Sequence, residues 1–227
     1  MPELRVVSYN IHSLKDDPGA LRAVVRDLAP DVLVVQEAPR RFRWRTRCAR
    51  LAHDFGMIYA VGGLPALGNL ILTTMRVRVH DTWSLRYPLT PGRHMRGAAF
   101  ARCSVDRVPF VVVGSHLATD PTERPAQATL LKKAMADVDV PLALAADLNE
   151  NSGGAAWRTL ADGLVDVGAK AGCADRSTFS CAAPSGRIDA IFVDPRIGVR
   201  GYEVVDTPQV HLASDHFPVR ADLRLPA

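Results

Sequence analysis

The stretch PLALAADLNE, residues 141–150, sets an apolar run directly before a cluster of polar side chains. Its first half carries no charge, and Asp147, Asn149 and Glu150 follow at once. A short run without polar residues is typical of a strand that is buried on both faces of a sheet. Side chains just past such a strand line the crevice where layered α/β proteins bind ligands. This stretch therefore predicts an internal strand from Pro141 to Ala145 and the place of a functional site.

The same arrangement recurs elsewhere in the chain. Leu4 to Tyr9 ends in Asn10 and His12, Val32 to Val35 ends in Gln36 and Glu37, and Phe110 to Val113 leads to Ser115 and His116. Further strands are predicted at Leu70 to Thr73, at Ile188 to Val193 and at Phe217 to Leu225. The last of these alternates apolar and charged residues, as a strand with one solvated face does.

Two polar clusters stand at the beginnings of strands instead. Arg187 and Asp189 open one strand, and Ser214, Asp215 and His216 precede another. If these strands run antiparallel to the others, their beginnings lie at the same edge. So many buried carboxylates and imidazoles are too costly for a purely structural rim, which predicts a functional cleft.

Helical patterns fall between the strands. Asp17 and Pro18 have the residue types of an N-cap and a first helical position, and apolar residues follow at helical spacing: Leu21, Val24, Val25 and Leu28. Further helices are expected over residues 41–55 and 123–138, the second with Leu130, Leu131, Ala134 and Val138 inward. Alternating strands and helices indicate a layered α/β fold, and no linker-like stretch interrupts it. We expect one domain spanning residues 1–227.

The composition is that of an ordinary globular chain. Its 227 residues are 48% hydrophobic and 23% charged, which excludes a disordered protein. No apolar run approaches the roughly 18 residues that a membrane span needs, and no signal peptide is apparent. We expect a cytoplasmic protein without stable membrane association. Cys173 and Cys181 are close enough in sequence to close a loop, but free thiols are expected in that compartment.

Basic charge is concentrated in the first part of the chain. Residues 1–100 carry 15 Lys and Arg against 8 Asp and Glu, whereas residues 101–227 carry 13 against 16. Six Arg and no acidic residue lie between Arg40 and Arg50. Two interpretations of this run stay open, a phosphate-binding surface and a solvated helix face. For Arg93 and Arg96, contact with the substrate and a solvated position likewise both stay open.

Seven short motifs together resemble the endonuclease/exonuclease/phosphatase superfamily, which includes deoxyribonuclease-like enzymes, abasic-site endonucleases, deadenylases, neutral sphingomyelinases and inositol polyphosphate phosphatases. They are Ser8-Tyr9-Asn10-Ile11, Gln36-Glu37, Gly68-Asn69, Ser115-His116-Leu117, Asp147-Leu148-Asn149, Arg187-Ile188-Asp189 and Ser214-Asp215-His216. They occur in the order of the family over residues 5–222. The resemblance implies a four-layer α/β sandwich, in which two packed mixed β-sheets are flanked by helices.

The resemblance also implies Mg²⁺-dependent hydrolysis of a phosphoester by an in-line water, with Mn²⁺ as a substitute ion. Glu37 matches the principal metal ligand, with Asn10 beside it and Asp215 as a further ligand. Asp147 matches the residue that orients or deprotonates the attacking water, and Asn149 the residue that holds a phosphate oxygen.

The remaining motif residues match further roles. His116 and His216 match the two imidazoles that act on the phosphate or on the leaving group, and which of them is acid or base stays open. Asp189 matches the carboxylate that fixes the tautomer of His216, while Asn69 and Arg187 match substrate or phosphate contacts.

Two departures from the family pattern stand out. Ala146 and Leu148 replace the Gly and Phe that usually flank the motif Asp, so the local backbone packing is expected to differ. His12 stands where some nucleases have Asp, which weakens the case for a second metal there.

The function that these residues favour is a phosphodiesterase acting on DNA or RNA, as a monomer without a protein partner. One alternative is a lipid or small-molecule phosphodiesterase or phosphatase with a sphingomyelin-like or inositol-phosphate-like substrate. Another is an inactive binding module of the same fold, against which the full set of polar residues argues.

Overall fold

Twelve strands and six helices make up the part of the chain that the structure, a computed structural model, describes, residues 1–226. In chain order they are β1 Glu3–Asn10, α1 Pro18–Leu28, β2 Val32–Gln36, α2 Trp44–Phe55, β3 Ile58–Gly62, β4 Leu70–Thr73, β5 Arg78–Arg86, β6 Gly97–Val105, β7 Val108–His116, α3 Arg124–Ala136, β8 Leu142–Asp147, α4 Ala155–Ala161, β9 Val165–Asp166, α5 Val167–Lys170, β10 Asp189–Val193, β11 Gly198–Val204, α6 Pro208–Ala213 and β12 Val219–Arg224. A short 3₁₀ turn, His12–Leu14, follows β1.

The strands form two mixed sheets of six strands each. The order is β11-β12-β1-β2-β4-β3 in the first sheet and β5-β6-β7-β8-β10-β9 in the second. β1 and β2 are parallel, as are β7 and β8, while the other neighbours run antiparallel. The chain crosses between each parallel pair through one helix, α1 or α3. The sheets, flanked by helices, confirm the predicted four-layer α/β sandwich.

The sheets pack against each other through their central strands. β1 and β2 contact β7 and β8, and the strands that meet there are apolar on both faces. Gly114 of β7 permits this close approach, because a Cβ at that position would lie 2.6 Å from Cγ1 of Val34 in β2. The polar ends of these strands therefore converge at one edge of the sandwich.

Helix α1 confirms the prediction made from its residue types. The Asp17 carboxylate accepts hydrogen bonds from the backbone N–H of Gly19 and Ala20 at 2.6 and 2.8 Å. The predicted apolar stripe is buried. The N-cap supplies acceptors for N–H groups that have no partner within the helix.

Helix α2 begins later than predicted. It starts at Trp44 rather than at residue 41, because Arg43 has a left-handed backbone with φ of 57°. Arg40 and Arg41 therefore lie in the loop that leaves β2, beside the polar edge.

Helix α3 is shorter than predicted, and its buried face differs from the predicted one. Leu131 is buried as expected, but the expectation for Leu130 was wrong, since 37% of it is exposed. Gln127 takes a buried position instead, because its side-chain oxygen accepts a 2.8 Å hydrogen bond from the backbone N–H of Ala118. A pattern of apolar residues does not reveal such a contact.

Two further expectations can be compared with the structure. All four cysteines are free thiols, as expected for Cys173 and Cys181. Within residues 1–226, no helix has the length and apolar character that crossing a membrane requires.

Candidate active site

Strand register brings the central residues of the predicted site together. His116, the last residue of β7, pairs with Asp147, the last residue of β8, and Asp147 pairs with Asp189, the first residue of β10. Asn10 ends β1 in the facing sheet. Because β10 runs antiparallel to β8, its beginning lies at the same edge as the ends of β7 and β8.

Asp147 is the centre of this arrangement. It is 1% exposed, and its Oδ2 accepts a 2.9 Å hydrogen bond from Nδ2 of Asn10, which links the two sheets. His116 Nε2 lies 3.1 Å and His216 Nε2 lies 3.9 Å from the same oxygen. The other carboxylate oxygen accepts from the backbone N–H of Asn149 at 3.0 Å. Both oxygens of Asp147 therefore face hydrogen-bond donors.

His216 and Asp189 form a buried imidazole–carboxylate pair. Nδ1 of His216 donates to Oδ2 of Asp189 at 3.0 Å, and the ring of Phe179 packs on the imidazole with centroids 4.7 Å apart. Burial opposes a positive charge here, but Asp189, Asp147 and Asp215 outweigh it and raise the pKa of His216 to about 10. His216 is thus an imidazolium at neutral pH, with Nε2 directed towards Asp147.

His116 has the opposite electrostatic environment. Burial, together with the neighbouring Arg96 and His216, lowers its pKa to about 3, although Asp147 acts against that shift. Nη1 of Arg96 lies 3.1 Å from Nδ1 of His116. A guanidinium can only donate, so Nδ1 must accept, and the neutral ring carries its proton on Nε2. That proton points at Asp147.

Glu37 follows the last residue of β2 and has a left-handed backbone with φ of 59°. Its Oε2 accepts a 2.7 Å hydrogen bond from the hydroxyl of Ser13. Burial opposes ionisation, but the Ser13 hydroxyl and the charges of Arg96 and His216 hold the pKa of Glu37 below its usual value. Glu37 is therefore a carboxylate that is available to a cation.

Asn10, Asp215 and His12 lie next to one another. Oδ1 of Asn10 accepts from the backbone N–H of His12 at 3.1 Å, and the carbonyl of Asn10 accepts from the hydroxyl of Ser214 at 2.7 Å. Asp215 Oδ2 is 3.6 Å from His12 Nε2, while Asp215 Oδ1 is buried without a hydrogen-bond partner. An unpaired, buried carboxylate oxygen is costly unless a cation or water satisfies it.

Asn149 lies beside His116. Its Nδ2 donates to the carbonyl of Leu117 at 3.0 Å. The same Nδ2 is 2.9 Å from Nε2 of His116, a close contact between two donors when Nε2 carries the proton. Its backbone is left-handed, with φ of 50°. Asn149 is thus held against both Asp147 and His116.

The structure does not bring the donors of Asn69 and Arg187 to the site. Both amide hydrogens of the buried Asn69 are used, because Nδ2 donates to the carbonyls of Ala66 and Gly97 at 2.8 Å each. Asn69 thus holds two loops together, and the expected substrate contact has no free donor.

The guanidinium of Arg187 contacts Asp166 and Trp157. Nη1 and Nη2 bind the two carboxylate oxygens of Asp166 at 2.9 and 2.7 Å, and the guanidinium stacks over Trp157 at 4.5 Å. The planar fork of Arg187 is therefore occupied by a carboxylate, and the phosphate contact expected of Arg187 stays a prediction.

A basic cavity of about 530 Å³ opens beside the cluster around Asp147. It is lined by Glu37 and His116 together with Lys15, Arg40, Arg41, Arg47, His94 and Arg96. The sequence drew attention to the run of Arg residues and to Arg96, but not to Lys15 or Ser13. Neither of those two residues belongs to a motif, and only the turn after β1 brings them to the site.

The family model for the Endonuclease/Exonuclease/phosphatase family matches residues 7–216. The chain belongs to this family. It is therefore a phosphoester hydrolase, and the residues gathered around Asp147 lie within the matched range. A search of curated proteins found no match.

Solved structures of the family share the fold. A family protein from Bacteroides thetaiotaomicron is 19% identical with a TM-score of 0.80, covering 100% of this chain and 99% of its own. D. rerio TDP2, complexed with a single-strand DNA product, is 18% identical with a TM-score of 0.79, covering 99% and 100%. The mannosyl-6-phosphatase Bt3783 of B. thetaiotaomicron is 19% identical with a TM-score of 0.77, covering 97% and 99%.

Members of this superfamily use divalent metals, and two groups of oxygen or nitrogen ligands are available here. Ligand atoms of Asp147, Asp189 and His216 lie within 4.8 Å of one another. However, the 3.0 Å hydrogen bond of His216 to Asp189 holds a proton between two of them. Glu37 and Asp215 also offer carboxylate oxygens, one of them buried without a partner, and carboxylate oxygens are ligands of hard divalent cations.

Proposed function

We propose that this protein is a Mg²⁺-dependent phosphodiesterase that cleaves nucleic acid by in-line attack of water. The observation that supports it most is the convergence of Asn10, His116 and His216 on one oxygen of the buried Asp147. A reaction that moves protons next to a negatively charged centre would use two imidazoles in opposite charge states beside one buried carboxylate.

Each residue then has a specific task. Asp147 orients the attacking water, since hydrogen bonds to both of its oxygens hold the carboxylate in place. His216, held as an imidazolium by Asp189, donates to a phosphate oxygen. His116 donates from Nε2, and Asn149 contacts the phosphate beside it.

The metal belongs to the other side of the cluster. Glu37, Asn10 and Asp215 would hold Mg²⁺, with Mn²⁺ as a substitute, because their oxygens suit a hard cation that keeps several waters. When bound, the ion neutralises charge on the phosphate and on the leaving oxygen. His12 next to Asp215 places an imidazole where a second ion would need a carboxylate, which favours a single metal.

The choice of nucleic acid draws on the basic cavity and on one relative. Lys15, Arg40 and Arg41 are among the basic residues that surround Glu37, as a phosphate backbone requires. D. rerio TDP2, which has the same fold, binds a single-strand DNA product.

Turnover measurements test this proposal. Purified protein with Mg²⁺ or Mn²⁺ is offered single-stranded DNA, duplex DNA, abasic DNA, RNA, sphingomyelin, inositol phosphates and mannose 6-phosphate. We expect hydrolysis of a nucleic acid, its loss in EDTA, and a fall of roughly 10²–10⁴-fold in His216→Gln and in Glu37→Gln. His53→Gln and Glu3→Gln, which alter exposed residues, serve as controls.

Other outcomes separate the alternatives. Turnover restricted to mannose 6-phosphate, an inositol phosphate or sphingomyelin would replace the nuclease proposal with a small-molecule or lipid hydrolase. Variants as active as the parent would refute the residue roles. Tight metal-independent binding of a substrate without turnover would identify a binding module.

A further inference from the structure

We infer that the rim of the basic cavity binds single-stranded nucleic acid, with Phe42 stacking on a base and Arg41 and Arg47 contacting a neighbouring phosphate. The inference rests on the proposed function and specifies the form of its substrate. It is drawn from the loop between β2 and α2.

Phe42 is a large aromatic residue that is 87% exposed, in the loop next to a polar site. Phe42 does not itself line the cavity, but its chain neighbour Arg41 and Arg47 in the first turn of α2 do, so Phe42 is next to the cavity along the chain. The chain leaves this loop through Arg43, whose left-handed backbone delays the start of α2. An aromatic face that is exposed beside basic residues is what single-stranded nucleic-acid binding proteins use to stack bases.

Two arginines that line the cavity, Arg41 and Arg47, form no ion pair among residues 1–226. Arg45, in contrast, stacks over Trp44 at 4.5 Å. Their charge is therefore available to a ligand. Glu37 is the acidic residue that lines the cavity, against Lys15 and several arginines.

Arg96, which also lines the cavity, has a guanidinium nitrogen without a hydrogen-bond partner. Arg96 is 7% exposed, its Nη1 contacts His116, and its Nε has no hydrogen-bond partner. Arg40 is fixed nearby, because its Nη1 donates to the carbonyls of Leu67 and Met95 at 3.0 and 2.9 Å. Arg40 and Arg96 thus add two guanidinium groups to a cavity in which Glu37 is the acidic lining residue, and this surplus of positive charge favours an anion.

The combination selects a single strand over the alternatives. A small polyphosphate would use the arginines but has no use for Phe42. A duplex keeps its base faces stacked on one another, so they cannot reach an aromatic side chain. An unpaired base next to a phosphate matches both features.

Binding measurements test the inference. A labelled single-stranded oligothymidylate is titrated by fluorescence anisotropy in the Glu37→Gln background, which keeps the strand intact. We expect Phe42→Ala to raise Kd about tenfold and Phe42→Trp to restore it. Met75→Ala, which removes an 89% exposed side chain at the opposite end of the sandwich, should leave Kd unchanged.

Salt dependence tests the arginines separately. The double variant Arg41→Ala/Arg47→Ala should reduce the slope of log K against log salt concentration by about 1.4, which corresponds to two phosphate contacts on a single strand. The control Arg26→Ala/Arg78→Ala removes two exposed charges far from the cavity and should leave the slope unchanged.

The inference is overturned if Phe42→Ala binds like the parent, if duplex of equal length binds as tightly as the single strand, or if pyrophosphate displaces the strand at equal phosphate concentration. Hydrolysis of bis(4-nitrophenyl) phosphate by the parent protein tests the proposed function independently. Phe42-dependent strand binding without any turnover would refute the phosphodiesterase and leave the binding surface standing. Turnover with Phe42-independent binding would refute the surface alone.

Discussion

Arg96 determines which nitrogen of His116 carries the proton. Its guanidinium donates to Nδ1 at 3.1 Å, so the proton of the neutral ring lies on Nε2, towards Asp147. The sequence identified His116 through its motif, but it could not pair the ring with Arg96, which lies 20 residues away in a loop. Asn69 is the opposite case: it belongs to a motif, but its side-chain amide donates to two backbone carbonyls. Hydrogen-bond partners depend on tertiary contacts that a motif does not encode.

Replacing Arg96 should therefore change the tautomer of His116. In the parent protein, ¹⁵N NMR should show the Nε2–H form, and His116→Gln identifies the signal. Arg96→Leu should allow the Nδ1–H form to appear, and turnover should fall about a hundredfold because the donor no longer points into the site. Arg93→Leu, in the same loop, is the matched control. Reduced turnover with an unchanged tautomer would contradict the positioning role.

The sequence predicted most accurately the strands in the interior of the two sheets, whose residues are mainly buried. β1, β2, β4 and β8 are apolar runs, and tertiary context and local preference agree there. The prediction missed β3, β9 and β11. It also missed β5, an exposed strand at a sheet edge, and β6, whose residues include Gly97 and several Ala. Neither has the apolar alternation or β-branched composition that marks a strand. Their structure is decided by pairing, of β6 with β7 and of β5 with β6.

The contact between β2 and β7 gives a test of how the strand ends are held together. Gly114→Ala would place a Cβ 2.6 Å from Val34 Cγ1, so we expect a loss of about 1–3 kcal/mol in the free energy of unfolding, measured in urea. Adding Val34→Ala should recover part of it, as a double-mutant cycle would detect. Gly153→Ala, where an added Cβ meets nothing within 4 Å, is the control. Additive effects at the two positions would show that the sheets do not constrain each other there.

The first and last strands of the chain pair in one sheet, and a hydrogen bond from the first strand connects that sheet to the other one. β12 pairs with β1, and Arg5 binds Asp222 at 2.7 Å. Asn10 then reaches across to Asp147 in the second sheet. The basic first part of the chain supplies the cavity rim, and the acidic second part supplies Asp147, Asp189 and Asp215. We therefore propose that residues 1–227 act as one catalytic domain, because neither sheet holds a complete site.

If the chain is one domain, weakening the first sheet must destabilise the second by the same amount. Leu223→Ala in β12 removes a side chain that is 1% exposed and should cost about 2–5 kcal/mol. In a Trp44→Phe background, the fluorescent residues that remain are Trp83 in β5 and Trp157 in α4, both packed on the second sheet. We expect these tryptophans to report one cooperative transition whose urea midpoint falls with Leu223→Ala and stays constant with Leu212→Ala, a change at a 60% exposed side chain. A midpoint that Leu223→Ala leaves unmoved would mean that the sheets unfold separately and that the active site lies between two domains.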